Sequence, residues 1–306
     1  MFFICYTERL NIYWVKMKIH ALFILFTWQV ATGLPPLHPQ IYKNLTIPTD
    51  VGDPLYLTPY IKSGDIELAR KLSLVTEPLD GLNPGEQPES YSGFFTVKED
   101  TENNMFFWFV PATTVEPSEA PVVIWLQGGP GSSSMFGMLE LHGPFTANYD
   151  ENENVRAVIN PYAWSKKANM IYIDNPVGAG FSYAQDQALP HSQVEVGRDL
   201  YEALTQWFTM FPEFQANDFY AFGESYAGKY VPTISKKIHD ENPNAAIKIN
   251  LVGLGIGNGF TSPPETAIYA EYMYGVGLID IVQRDIMLQQ EEEMKQLIQD
   301  EQWHAA

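Results

Sequence analysis

The sequence contains almost no cysteine. Its one cysteine is Cys5, so no disulfide can form within the chain. Disulfides are common in secreted proteins, but they are not required there. Cysteine usage therefore neither supports nor excludes secretion, and the compartment has to be inferred from other features.

Basic residues are also few. The 306 residues include 18 Lys and Arg against 37 Asp and Glu, which gives a net charge of −19 at pH 7. This charge argues against a nucleic acid or an anionic membrane surface as a partner, because both repel an acidic protein. It fits a protein that works in acid, where carboxyl groups become protonated, and it fits an acidic solvated surface equally well.

Long apolar runs are missing except near the N-terminus. A basic start after Met17 leads into the short apolar run 21–30, and small residues follow at 31–33. This order predicts a secretory signal peptide from about Met17, with residues 1–16 as an upstream extension. The run is too short to span a membrane, although an anchored leader is an alternative. We therefore expect no membrane contact once the signal is removed.

One sequon supports the same route. Asn44 begins the sequence Asn-Leu-Thr, which is an acceptor for N-glycosylation in proteins that enter the secretory pathway. Together with the signal peptide, it predicts a glycoprotein that is secreted or lysosomal.

The chain has ample material for a core. Hydrophobic residues make up 45% and aromatic residues 14% of the sequence, as expected for a large globular domain. Aromatic, β-prone runs at 91–97 and 104–110 predict a hairpin. The apolar run 121–126 predicts a strand that is buried on both faces.

Later segments alternate between strand and helix patterns. Strands are predicted at 169–174, at 247–256 and in the run that ends at Gly223. Between them, residues 194–211 have the period of an amphipathic helix. Its predicted buried face is Leu200, Leu204, Phe208 and Phe211, and its predicted exposed face is Glu195, Arg198, Asp199 and Glu202. Such alternation predicts an α/β fold with a mostly parallel sheet.

Ser225 lies where the strand that ends at Gly223 gives way to a helix. The sequence Gly-Glu-Ser-Tyr-Ala at 223–227, followed by Gly228, is typical of a nucleophile elbow, in which small neighbours allow a sharp turn. We therefore interpret Ser225 as a nucleophile. An ordinary glycine-bounded turn is the alternative, because the short pattern is common.

A glycine-rich loop follows the buried strand 121–126. Its sequence, Gln-Gly-Gly-Pro-Gly at 127–131, can turn backbone N–H groups toward a cavity, as an oxyanion hole requires, or it can be a simple tight turn. It is not a phosphate loop, and the glycines at 253–259 do not have dinucleotide-binding spacing. We expect no cofactor and no bound metal. This loop and Ser225 both follow the C-terminal ends of predicted strands, where the functional loops of a parallel sheet lie. Their common location supports a catalytic role for both.

Five motifs resemble those of the serine carboxypeptidase family in order and spacing, and the chain looks most like the vitellogenic carboxypeptidase-like branch. They are Tyr-Ser-Gly at 91–93, Trp-Leu-Gln-Gly-Gly-Pro-Gly at 125–131, Asn-Pro-Tyr-Ala-Trp at 160–164, Asn-Pro-Val-Gly-Ala-Gly-Phe-Ser-Tyr at 175–183 and Gly-Glu-Ser-Tyr-Ala-Gly at 223–228. The resemblance implies an α/β-hydrolase fold and the removal of C-terminal residues from peptides that have a free C-terminus.

The resemblance also implies roles for individual residues. Ser225 would be the nucleophile, and the backbone N–H groups of Gly129 and Tyr226 would form the oxyanion hole. The residues implied to hold the terminal carboxylate of the substrate are Gln127, Gly128 and Glu224. A carboxyl side chain can bind a carboxylate only when one of the two is protonated, so the reaction should favour acid.

The chain departs from the family pattern in several places. Gln127 replaces a common Asn, Ser132 replaces a common Cys, and Glu140 lies one place early before His142-Gly-Pro. In the α/β-hydrolase order, the triad Asp and His follow the nucleophile. His239 and His304 are the histidines after Ser225, and neither lies in a family motif. We therefore expect the triad Asp and His to be missing from these 306 residues.

These observations predict three regions: residues 1–33 as extension plus signal peptide, 34–260 as the N-terminal part of the hydrolase domain, and 261–306 as the start of a truncated helical cap. The leading hypothesis is a serine carboxypeptidase. The alternative is an inactive relative that binds peptides or is a non-functional fragment, and an esterase or acyltransferase on the same fold is a third possibility. The sequence leaves the oligomeric state open, a homodimer included.

Overall fold

The computed structural model describes residues 53–306 apart from Pro84, Glu153, Asp186 and Gln187. The predicted signal peptide, the upstream extension and the sequon at Asn44 lie outside this part of the chain. Within the described part, no helix combines the length and the apolar character needed to cross a bilayer.

A six-stranded sheet forms the centre of the molecule. Its strands are β1 (Tyr91–Lys98), β2 (Asn103–Val110), β3 (Val122–Leu126), β6 (Asn169–Ile173), β7 (Phe219–Glu224) and β8 (Leu251–Gly257). Their spatial order is β1-β2-β6-β3-β7-β8. β1 and β2 form the predicted antiparallel hairpin, β2 is also antiparallel to β6, and the other neighbours are parallel. The predicted α/β class with a mostly parallel sheet is therefore confirmed.

The central strands owe their position to apolar side chains on both faces. All five residues of β3 and all five of β6 are buried, as a parallel strand covered on both sides requires. β3 lies between β6 and β7, with Trp125 opposite Tyr172 on one side and Phe222 on the other. The ends of β3 and β7, where the glycine loop and Ser225 follow, are consequently neighbours.

Helices cover one face of this sheet. The aromatic side chains of Trp207, Phe208 and Phe211 are almost fully buried there with Phe109 and Phe219. The helices of the described residues are α1 (Thr58–Ser63), α2 (Ile66–Ser73), α3 (Gln193–Met210), α4 (Ala227–Glu241), α5 (Pro263–Thr266), α6 (Ala270–Gly275) and α7 (Ile281–Gln299).

The predicted helix at 194–211 is α3, with one error in its faces. Ser192 caps it by accepting a hydrogen bond from the Glu195 backbone N–H, and Leu200 and Leu204 are buried as expected. Asp199, however, is only 1% exposed, although periodicity placed it on the solvated face. Arg198 donates to its carboxylate at 2.7 Å, and this ion pair makes burial of the acid tolerable.

The other face is covered by short elements. A single π-helical turn at Gly137–Leu141 and the hairpin of β4 (Phe145–Tyr149) and β5 (Val155–Ile159) pack over Trp125, Met170 and Tyr172. These elements follow the glycine loop in the chain, so they lie close to the C-terminal edge of β3.

The region after β7 differs from the prediction in one respect. The predicted strand 247–256 begins only at Leu251, because the Ile249 backbone N–H and carbonyl are both bonded to the Asn242 side chain instead of to a neighbouring strand. β8 is an edge strand, and its Leu254 is 51% exposed although its neighbour Ala221 is fully buried. The domain boundaries given above stay a prediction.

Candidate active site

Ser225 occupies a sharp turn between β7 and α4. Its φ angle of +59° is in the left-handed region, which a residue with a side chain rarely adopts. The turn is possible because Gly223 and Gly228 leave room: an added Cβ would lie 2.4 Å from the Leu126 carbonyl oxygen and 2.7 Å from the Phe260 nitrogen, respectively. The elbow geometry predicted from the spacing of these residues is present.

The glycine loop after β3 touches this elbow. A Cβ on Gly128 would lie 2.4 Å from the backbone nitrogen of Tyr226 and 2.8 Å from the Ser225 Cβ. Only glycine fits so close an approach. Gly129 has a φ of +111°, and the Ser132 backbone N–H closes the loop by donating to the Gly128 carbonyl at 3.1 Å.

Gln127 and Glu224 meet beside the elbow. The Gln127 side-chain amide donates to Glu224 Oε1 at 2.7 Å, and its own Oε1 accepts from the Trp125 indole at 3.1 Å. The indole bond fixes the orientation of the amide, because the reversed amide would present its NH₂ group to the indole N–H. Gln127 is 3% exposed, whereas Glu224 is half-buried, so the pair lies at the border between the core and solvent.

Trp125 is itself enclosed by aromatic rings. The His142 ring lies 4.3 Å from the indole and stacks on Trp164 at 4.1 Å, while its Nδ1 is 3.1 Å from the Tyr172 hydroxyl. Burial lowers the pKa of His142 to about 4, so the ring is neutral at pH 7. Sequence reasoning noted His142 only as a departure from a motif and missed this position against Trp125.

A buried carboxylate lies on the other side of the glycine loop. Asp174, which follows β6, accepts hydrogen bonds from the Ser133 hydroxyl at 2.6 Å and from the Ser134 backbone N–H at 2.8 Å. Its other oxygen accepts from the Phe181 backbone N–H at 2.8 Å. Burial raises its pKa. This residue was also missed, although its place directly before the Asn-Pro motif at 175–176 was a usable signal.

None of the histidines in the described residues is hydrogen-bonded to the Ser225 hydroxyl. His239 is exposed in the last turn of α4, about 18 Å along the helix from its start, and His304 is exposed after α7. The prediction that neither serves Ser225 as a base agrees with these positions. The geometry thus places a serine at a sharp turn beside a glycine loop and a carboxyl–amide pair.

A family comparison agrees with the motifs. The profile described as serine carboxypeptidase matches residues 82–305. The chain is similar to the probable serine carboxypeptidase CPVL of Homo sapiens, with 44% identity over an aligned length of 292 residues; the alignment covers 91% of this chain and 59% of that protein. It is similar to the venom serine carboxypeptidase of Apis mellifera, with 44% identity, 94% of this chain and 60% of that protein. The chain thus spans about three fifths of the length of these relatives.

A solved structure gives the same fold. Kex1(delta)p, described as a prohormone-processing carboxypeptidase from Saccharomyces cerevisiae, superposes with a TM-score of 0.67 at 27% identity, covering 75% of this chain and 52% of the other. The predicted α/β-hydrolase fold is confirmed. The roles of the individual site residues stay predictions.

Proposed function

Because this chain belongs to the serine carboxypeptidase family, we propose that its site takes the C-terminal end of a peptide and that Ser225 attacks the last peptide bond. The Ser225 oxygen would bond to the carbonyl carbon while its proton passes to a base. The C–N bond would then break as the leaving amine accepts a proton, and water would hydrolyse the resulting ester. In this reaction, the described residues would supply the nucleophile and the groups around it.

The observation that carries the proposal is the hydrogen bond between Gln127 and Glu224 next to the elbow. A general esterase needs a serine and an oxyanion hole, but it has no use for a buried amide paired with a carboxyl group. A carboxyl–amide pair suits a terminal carboxylate, which can share a proton with Glu224 and accept from the amide. We assign Gln127, Glu224 and the Gly128 N–H to this carboxylate, and the Gly129 and Tyr226 N–H groups to the oxyanion.

One observation favours a second candidate, a peptide-binding protein without hydrolytic activity. Ser225 has no imidazole partner in the described residues, and serine is a weak nucleophile without a base. The carboxylate-binding pair does not depend on that base. A chain that binds peptides through their C-terminus and does not cleave them would fit the same geometry.

Two measurements distinguish these functions. A fluorophosphonate probe labels Ser225 only if its hydroxyl is activated, and a blocked dipeptide at acidic pH reports release of the C-terminal residue. Labelling and release, both lost in Ser225→Ala, support the carboxypeptidase. Binding of a free-carboxylate peptide without labelling supports the binding protein. Release of the C-terminal residue that is unchanged in Gln127→Leu contradicts the carboxylate site.

We also propose that the protein enters the secretory pathway and is secreted or lysosomal. The support is the apolar run after Met17 and the sequon at Asn44. Expression in cultured animal cells, followed by glycosidase digestion, tests this. A mobility shift that disappears in Asn44→Gln is expected, and recovery of an unglycosylated protein from the cytosol would contradict the proposal.

A further inference from the structure

Asp174 is a carboxylate in an unusual position. It is fully buried at the C-terminal end of β6, and its three hydrogen-bond donors are all uncharged: the Ser133 hydroxyl and the backbone N–H groups of Ser134 and Phe181. A buried carboxylate without a cation is costly to keep. A buried carboxylate at this position therefore calls for a local role that a neutral side chain would fill less well.

The three donors come from two different segments. Ser133 and Ser134 belong to the loop that begins with Gln127, whereas Phe181 belongs to the loop after β6. Both oxygens of Asp174 act as acceptors, one toward each segment. Gly180 makes room for the second contact, since a Cβ there would lie 2.1 Å from Asp174 Oδ2. The carboxylate therefore joins the two loops.

The same network reaches the start of the glycine loop. The hydroxyl of Ser134, whose N–H is bonded to Asp174, accepts a hydrogen bond from the Gln127 backbone N–H at 3.2 Å. Between these anchored positions lie Gly128, Gly129 and Gly131. Glycine-rich backbone loses much conformational freedom on ordering, so its position has to be held by its ends.

We propose that Asp174 is a positioning residue that holds the loop 127–134 against the elbow, and so fixes the backbone amides that face the Ser225 reaction centre. It touches no substrate. Both side-chain atoms at this position have to be hydrogen-bond acceptors. In Asn, one of the two would be an NH₂ group, which would face the N–H of Ser134 or of Phe181. The catalytic consequence rests on the proposed function, whereas the effect on the loop does not.

Hydrogen exchange of backbone amides, read by mass spectrometry on the whole chain, tests the effect on the loop. Asp174→Asn is expected to raise exchange on the order of tenfold or more in peptides that cover 127–134 and 175–183, with little change in α3. Ser133→Ala, which removes one of the three bonds to Asp174 together with the acceptor of the Met135 backbone N–H, is expected to give a smaller rise. Exchange in 127–134 that is unchanged in both folded variants would overturn the proposal.

Asp199→Asn is the matched control. Asp199 is also a buried carboxylate, but it lies in α3 and pairs with Arg198. The same chemical change there should leave exchange at 127–134 unaltered. If it raises exchange in that loop as much as Asp174→Asn does, the effect is a general loss of stability and the proposal is wrong.

The rate of fluorophosphonate labelling of Ser225 tests the effect on the site. We expect Asp174→Asn to slow labelling about tenfold to a hundredfold, because small displacements of groups around a reacting centre have effects of this size. Asp174→Asn and Ser133→Ala should be non-additive, since both act on one network. An unchanged labelling rate would overturn the positioning role. If the native chain is not labelled at all, the proposed nucleophile fails, and the exchange experiment decides the role of Asp174 by itself.

Discussion

The side-chain amide of Gln127 donates a 2.7 Å hydrogen bond to the carboxyl group of Glu224, directly beside the turn that carries Ser225. This contact joins the end of β3 to the end of β7. The amide oxygen accepts a hydrogen bond from the Trp125 indole, and this bond directs the NH₂ group toward Glu224.

Gln127→Leu should weaken binding of a peptide with a free C-terminal carboxylate by about 1–3 kcal/mol, because it leaves both the Trp125 donor and Glu224 without their partner. Titration calorimetry at acidic pH in a Ser225→Ala background measures this. The amidated peptide, which lacks the carboxylate, is the control ligand. Equal weakening for both peptides would show that the pair does not recognise the terminus.

The left-handed backbone of Ser225 predicts an unusual order of stability. Ser225→Gly should be more stable than Ser225→Ala by about 1 kcal/mol, because glycine adopts a positive φ without a steric cost. Thermal unfolding of the two variants, neither of which has a nucleophile, provides the comparison. A more stable Ala variant would mean that the turn is not strained in solution.

Gly128→Ala should damage the site through the backbone, because the new Cβ would lie 2.4 Å from the Tyr226 nitrogen. We expect loss of Ser225 labelling and destabilisation of about 1–3 kcal/mol from the forced displacement. Gly275→Ala is the control, since a Cβ there meets nothing within 4 Å at the end of α6. Chemical denaturation of both variants, with labelling of Ser225 alongside, measures the difference. Normal labelling of Ser225 in Gly128→Ala would show that the close contact between the loop and the elbow is not needed for the reactivity of Ser225.

His142 should make the protein less stable as the pH falls. Its pKa is lowered by burial from 6.5 to about 4, so the unfolded chain binds this proton at a higher pH than the folded chain does. The free energy of unfolding should therefore decrease between pH 6.5 and 4, by up to about 3 kcal/mol in total. In His142→Phe this part of the decrease should vanish.

Urea unfolding at pH 7, 5 and 4 tests the prediction for His142. The exposed His239 provides the control, because His239→Gln should follow the wild-type pH dependence. If the wild type and His142→Phe lose stability in parallel, the ring is not buried in its neutral form.

The edge strand β8 should promote self-association. Val252 and Leu254 are 52% and 51% exposed on a strand whose outer backbone groups have no partner strand among the described residues. Such edges pair readily with other strands, and lysine discourages it. Leu254→Lys should reduce association in light scattering relative to Lys248→Arg, a conservative change just before the strand. Equal scattering from the two variants would mean that the chains do not associate through β8.

Local patterns predicted most of the strands and the elbow, because they depend on neighbouring residues. The hairpin, the buried strand 121–126 and the turn at Ser225 were all visible as short runs of defined composition. Periodicity was wrong about Asp199, since it cannot foresee that Arg198 folds back to neutralise a buried acid. The placement of strand 247–256 failed at its start for a related reason: the Asn242 side chain, at the end of α4, binds the Ile249 backbone.

The site was partly predictable for the same reason. The motifs supplied Ser225 and Gln127, but the surroundings of His142 and Asp174 arise from contacts between segments that lie far apart in the chain. The amino-acid sequence does not reveal the contact partners of His142 and Asp174, so neither residue can be distinguished there from an ordinary polar residue in a loop.

The pairing of β3 with β7 also has a consequence for how the molecule folds. Gln127 and Glu224 are 97 positions apart, and parallel strands so distant must close a long chain loop before their contacts stabilise anything. The hydrogen bond between Gln127 and Glu224 therefore forms only once the middle of the sheet has assembled. The gain of affinity for a carboxylate ligand during refolding would thus report when β3 pairs with β7. We expect this pairing well after the β1–β2 hairpin has formed.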